Sequence, residues 1–261
     1  NLVWAQIWKL ECDQLEVMVK QRAPRIKKET YQEKVNGEFA PYAVAERYHD
    51  IEQELWNDSS STYGARTVAT QLRHRYCLLH LTSGILRCES LSRAELSDFR
   101  GLCPPKKDTD VHPMYLMINQ IFEGKTNHGH ILYGRATRHK DVELCCIGAL
   151  SFYLSYRFMV TKEFLEFEKE DWLNNAKWFD IKLLIDVNGS DRTVEIQNDS
   201  YGDHIRKILN KLKIDCNKLL HLGRNLGSKI LDLLEVESEA IRRMGQWLSL
   251  IHISEPTRHR S

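Results

Sequence analysis

The chain reads as mainly α-helical with a small antiparallel β-sheet, an α+β fold. Three observations predict it. Apolar residues recur at three- and four-residue spacing along most of the chain, which lines one side of a helix. Between 114 and 139 the spacing changes to alternation on either side of a Gly-containing turn, as in a β-hairpin. No run of about 18 apolar residues breaks this pattern, so no membrane span is expected. With 261 residues there is room for one large or two small domains, and 42% hydrophobic and 28% charged residues are ordinary for a globular protein.

Residues 1–22 predict an amphipathic helix, with Leu2, Ile7, Trp8, Leu10, Leu15 and Met18 largely on one side. A basic, proline-containing link follows. Helices are predicted over 38–57 and 65–84, separated by the loop "NDSSSTYG", and Val68, Leu72, Tyr76 and Leu79 mark the second. "SRAE" at 92–95 has the form of a capping box, so "GILRCE" is expected at a helix end or tight turn just before a new helix. "LCPPKKDTDVHP" is a loop, "MYLMINQIFEG" a strand, "GKTNHG" a turn and "HILYGRATRH" a second strand. "VELCCIGALSFYLSYRFMV" predicts a strongly apolar helix that buries Leu144, Ile147, Leu150, Leu154 and Phe158. The stretch 171–191 is mixed. "YGDHIRKILNKLKI", "NKLLHLGRNLGSKILDLL" and "SEAIRRMGQW" predict three further helices.

Lys and Arg number 37 against 36 Asp and Glu, so no global charge excess points to nucleic acid. The local islands "QRAPRIKK", "QLRHR", "GRATRHK", "HIRKILNKLK" and "AIRRM" are ordinarily solvated faces, but converging islands form a phosphate-binding groove. The cysteines, Cys12, Cys77, Cys88, Cys103, Cys145, Cys146 and Cys216, are odd in number and include no CxxC pair. That usage fits buried thiols in a reducing compartment rather than a disulfide framework or a zinc site. His128 and His130 in "NHGH" have no partner ligands at metal spacing, so no metal is expected. The sequons at Asn57 and Asn198 carry no weight without a secretory signal. The first residues lack both a methionine and a signal-peptide pattern and read as the middle of a helix, so a fragment is expected.

Four features carry candidate chemistry. Arg87 sits in an apolar turn, Lys125 in a Gly-flanked turn, His221 and Arg224 three residues apart on one helix face, and Trp247 after a short helix. Each alone has an ordinary reading: an arginine paired with Glu89 or Asp98, a solvated lysine, a half-buried histidine, a core tryptophan. Together they suit the holding of a phosphodiester. Guanidinium groups grip non-bridging oxygens in pairs, a histidine adds a hydrogen bond, and a lysine on a hairpin can protonate a leaving oxygen. The same groups hold a DNA phosphate without any chemistry.

On these residues the sequence resembles the tyrosine recombinase catalytic domain. "SGILRCESLSRAELSDF" is similar to that family's first arginine box, with Arg87 as the arginine and Glu89 as its acidic companion. "HLGR" is similar to the H-x-x-R box, Lys125 in "GKT" to the lysine of the strand-turn-strand unit, and Trp247 falls where the family has histidine or tryptophan. More narrowly, "YGRATRHKDVELCCIGALSFYLSYRF" with "HLGR" and "AIRRMGQW" resembles Crypton-type recombinases and the recombinase-like second domain of the fungal centromere DNA-binding factor, over roughly 1–247. Two departures stand out. "LLEVESEA" lacks the glycine common before the last short helix, and no tyrosine follows Trp247 where the family's nucleophile belongs. The tail "LSLIHISEPTRHRS" looks like translated adapter sequence and is set apart from the fold. The division expected is a helical N-terminal part at 1–60, a recombinase-like DNA-binding domain at 61–247 and a non-native tail at 248–261.

The resemblance implies a clamp on double-stranded DNA in the nucleus, with Arg87, Lys125, Arg138, Lys140, His221 and Arg224 as DNA-binding residues. It implies assembly into homo-oligomers on DNA, no membrane, no metal and no small-molecule cofactor. The alternative it carries is a fragment of a Crypton-type recombinase or transposase that has lost its nucleophilic tyrosine by truncation, in which Arg87, Lys125, His221, Arg224 and Trp247 are the catalytic positions. Such an enzyme forms a phosphotyrosine intermediate through a tyrosine nucleophile. Lys140 competes with Lys125 for the lysine role, and Tyr201 precedes the H-x-x-R box, the wrong order for a nucleophile. A third reading is a helical interaction protein with no DNA affinity.

Overall fold

The computed structural model describes residues 41–57, 64–102, 115–122, 131–163, 167–186, 191–214, 216 and 219–245. The helix expected over 1–22, the basic link after it, the "GKTNHG" turn and the tail lie outside the described residues. The helices are α1 (Pro41–Glu46), α2 (Tyr48–Asn57), α3 (Gly64–Gly84), α4 (Cys88–Ser92), α5 (Cys146–Ser155), α6 (Lys169–Leu173), α7 (Asn198–Lys211), α8 (Leu222–Leu233) and α9 (Ser238–Met244). The strands β1 (Phe99–Leu102), β2 (Leu116–Ile121) and β3 (Leu132–Thr137) form one antiparallel sheet in that order. The expected class, mainly α with a small antiparallel sheet, is the one observed.

The long helix α3 organises the molecule. It packs against α2, α5, α8 and β3. Tyr76, Leu78, Leu79 and Leu81 are buried, and so are the polar residues between and beside them, Arg73, His74, Arg75 and His80. Thus "QLRHR" is an interior segment, not a surface island. Arg75 lies over the Trp56 ring at 4.8 Å and donates to the Glu143 carbonyl. His74 Nδ1 lies 2.8 Å from His204 Nδ1. A helix surrounded by neighbours has little solvated face, so its charged groups must bond inward.

Three local expectations are corrected. Ser92 does not start a helix; it ends α4, and its hydroxyl donates to the Glu89 carbonyl. The capping box belongs to Glu95 and Asp98, which close a single 3₁₀ turn at Leu96–Asp98. Second, Phe99–Leu102 is a strand, paired Arg100↔Ile118 and Leu102↔Leu116, so the sheet has three strands where two were predicted. Four mostly exposed residues gave no alternation to read. Third, the helix within 142–160 starts at Cys146 and ends in a wider π turn at Tyr156–Val160. Its buried positions are Cys146, Ala149, Leu150, Tyr153 and Arg157, so the expected stripe was rotated and shares only Leu150 with them. The segment is apolar on all sides, so periodicity could not orient it. Two anchors set the rotation. Cys145 Sγ accepts the Gly148 N–H at 3.3 Å, and Arg157, 2% exposed, bonds Glu163 and the Leu183 carbonyl.

The sheet is two-faced. Met117, Asn119, Ile121, Gly134 and Ala136 point into the core. A Cβ at Gly134 would lie 2.0 Å from Asn119 Oδ1, so only glycine lets β3 pass over that buried amide. On the opposite face Arg100 and Arg135 are exposed and register with each other across Ile118.

Candidate nucleic-acid interface

The turn that carries Arg87 is built by the end of α3. Leu86 N–H bonds the Leu81 carbonyl at 3.0 Å and Ile85 N–H the Thr82 carbonyl at 3.4 Å, a Schellman closure. Its left-handed position, where glycine is usual, is held by Ile85 at φ 52°. A β-branched residue there costs about 1–2 kcal/mol. The cost is offset because Ile85 is buried against Leu231, Leu234 and Ile241, and full burial of such a side chain stabilises by about 1.5–3 kcal/mol. The reversal leaves Arg87 as the N-cap of α4, partly exposed, with extended backbone. A Cβ on Gly84 would sit 3.5 Å from the Arg135 carbonyl, so β3 runs beside this turn.

Helix α8 comes to the same place through two glycines one turn apart. A Cβ at Gly223 would meet Leu81 Cβ at 2.6 Å, and one at Gly227 would meet the Thr82 carbonyl oxygen at 2.0 Å. Backbone contact this close seats the first turn of α8 against the last turns of α3. It carries Arg224, buried, within electrostatic reach of Arg87. Arg224 Nη2 donates to the Gly245 carbonyl, which ties it to the end of α9. Burial, and then the neighbouring Arg87 guanidinium, bring the Arg224 pKa down to about 10. Each guanidinium raises the electrostatic cost of the other's charge, and burial adds to that cost at Arg224.

His221 is the N-cap of α8 and is exposed, while Arg224 is buried, so the two share the first turn but not one environment. The positive end of the helix dipole adds to the field there. Arg138 and Lys140 are exposed in the chain leaving β3. Arg138 is three residues past Arg135, about 10 Å of extended chain. Lys125 and Trp247 lie outside the described residues. Glu89, the expected acidic companion of Arg87, also has a partner within α4 and its cap. It reaches Arg93, four residues on, at 3.2 Å, while Asp98 accepts the Glu95 N–H at 2.8 Å. Because α4 starts at Cys88, Glu89 shares a helix face with Arg93. Tyr201 is buried in the core, its ring edge-on to His74.

Sequence reasoning missed Arg100, and it read Arg135 only as part of an island. The alternation Tyr133, Arg135 against Gly134, Ala136 was the available signal for β3; for β1 there was none.

A family model described as centromere DNA-binding protein complex CBF3 subunit, domain 2, matches residues 49–254. No curated protein and no solved structure matches.

Proposed function

The chain belongs to the family of the centromere DNA-binding protein complex CBF3 subunit, domain 2, and from that premise we propose that it grips the phosphates of double-stranded DNA with a tyrosine-recombinase-like site. The observation that carries this reading is the close approach of α8 to the end of α3, which brings buried Arg224 within electrostatic reach of Arg87. Their segments are far apart in sequence, and each is fixed by its own close backbone fit. Two adjoining guanidiniums suit the non-bridging oxygens of one phosphodiester. His221, at the N-terminus of α8, supplies a further hydrogen bond. Arg100, Arg135, Arg138 and Lys140 extend the contact to neighbouring phosphates, and Lys125 is a further cation that the sequence pattern offers. Contacts of this kind position DNA without reading its sequence.

Binding needs only these groups, whereas recombination also needs a tyrosine nucleophile. Tyr201, the tyrosine nearest in sequence to the H-x-x-R box, is buried in the core. The groups described support a DNA clamp, which is the reading proposed. A centromere complex works on chromosomal DNA, which supports a nuclear protein that acts with other subunits.

The test is fluorescence anisotropy with a labelled random-sequence duplex, titrated over a range of salt. Arg87→Ala is expected to weaken binding at least tenfold and to lower the slope of log affinity against log salt by about one. Unchanged affinity and slope would sink the assignment. Binding by the parent protein that ignores salt would sink the clamp itself.

A further inference from the structure

The loop that leaves β3 folds back over α2. It brings two carboxylates to His49, on the side of the molecule formed by α2 and the start of α5. His49 Nε2 lies 3.6 Å from Asp141 Oδ2 and 3.0 Å from Glu143 Oε2. All three ligand atoms lie within 4.8 Å of one another. We propose that His49, Asp141 and Glu143 form a binding site for a divalent transition-metal ion of the zinc class.

The spacing fits. Ligands at about 2.0–2.2 Å from a tetrahedral zinc stand about 3.3–3.6 Å from each other, and the two His49 distances bracket that range. The chemistry fits as well. One imidazole and two carboxylates are a mixed nitrogen and oxygen set, which suits zinc better than the all-oxygen shells of magnesium or calcium. Three protein ligands leave a position for water.

The carboxylates are held in place by contacts that do not involve an ion. Asp141 Oδ1 accepts the Glu143 N–H at 2.8 Å, which leaves Oδ2 for His49. The Asp141 N–H donates to His139 Nδ1 at 2.9 Å, and the buried Arg75 donates to the Glu143 carbonyl. Gln53 Nε2 reaches the same Glu143 oxygen as His49, at 3.4 Å. The loop is thus anchored to α3 through its backbone and to α2 through the Glu143 side chain. The three side chains are 40–47% exposed, so an ion reaches them without crossing the core. A single imidazole cannot neutralise two carboxylates even when protonated, whereas a divalent ion does. This site departs from the expectation of no metal because its ligands come from segments far apart in sequence, which no spacing motif records.

The experiment is calorimetric titration of the full chain with zinc chloride, alongside thermal unfolding. One equivalent of zinc is expected to bind. At a hundredfold excess over Kd the ion should raise Tm by about 5–10 °C, because it staples α2 to the loop. Asp141→Asn keeps the Oδ1 acceptor for the Glu143 N–H and removes only the charge. It is expected to leave the metal-free Tm in place and to weaken zinc binding at least tenfold. His49→Ala should do the same, and magnesium chloride should give no shift. Zinc binding that survives in both variants would assign the ion to other groups, such as thiols, and overturn the site. So would an equal response to magnesium, or no saturable binding by the parent chain.

Discussion

At the scale of single residues, the molecule places polar groups where burial changes their chemistry. His80 is fully buried between the Asn119 amide, at 3.2 Å from Nε2, and the Cys146 thiol, at 3.3 Å from Nδ1. Burial, only partly opposed by the Asn119 hydrogen bond, takes its pKa down to about 4. The sign follows from proton binding. Between pH 6.5 and about 4 the unfolded chain holds a proton on this imidazole that the folded chain does not. Stability contributed by neutral His80 is therefore whole above 6.5 and falls with pH, at about 1.4 kcal/mol per unit. His80→Gln should be less stable than the parent at neutral pH, with a gap that narrows as pH drops through this window. Urea midpoints measured at matched pH check it; a gap independent of pH would show that the imidazole does not titrate in this way. Comparison with the variant removes other buried acids from the result, notably Glu52, whose pKa burial raises to about 8. Arg224 obeys the same electrostatics: burial, and then Arg87, lower its pKa to about 10.

At the scale of elements, the decisive contact is that of α3 with α8. Gly223 and Gly227 let the two backbones touch, and the touch sets where Arg224 stands relative to Arg87. Gly227→Ala puts a methyl into the Thr82 carbonyl. It is expected to destabilise by about 1–3 kcal/mol, as overpacking does. In protein that remains folded it should also weaken duplex binding, although residue 227 is only a spacer. Chemical denaturation and anisotropy on the same sample separate the two effects. Wild-type stability in this variant would mean that α8 does not seat as described. Helices α7 and α8 were legible because each shows a 3.6-residue stripe, although they start at Asn198 and Leu222; α3 was legible from the helical spacing of Leu72, Tyr76 and Leu79, although neighbours cover it on most sides. The turn after α3 was legible as a turn, but not as a left-handed one, because isoleucine at φ 52° contradicts the local preference and is sustained only by the Leu231, Leu234 and Ile241 cluster.

At the scale of the whole molecule, a formal net charge of +1 gives little long-range attraction to DNA, so affinity must come from how charge is distributed. Islands of equal appearance in sequence separate in the structure. Arg73 and Arg75 are buried and bonded inward, while Arg100, Arg135, Arg138 and Lys140 face outward. Removing Arg100 and Arg135 together, as alanines, should reduce the salt slope of duplex binding by about two, one for each phosphate no longer neutralised. Arg206→Ala, on an exposed residue paired with Asp203, should leave it unchanged. An equal effect of the two changes would mean that the sheet face has no special part in binding.

The sequence by itself determined the helical periodicity, the antiparallel hairpin, the arginine turn and the H-x-x-R pair, because each is written within a few residues of chain. It also carried the resemblance to a centromere factor on which the DNA-binding reading was first based. Only the tertiary structure decided which arginines are interior, that Glu89 reaches Arg93, how the apolar helix α5 is rotated, that β1 joins the sheet, that α8 seats on the end of α3 and that His49 meets Asp141 and Glu143. The physical reason is common to all of these. Burial, electrostatic neighbours and ligand geometry are properties of groups close in space, and local spacing along the chain does not encode which distant segment arrives beside them.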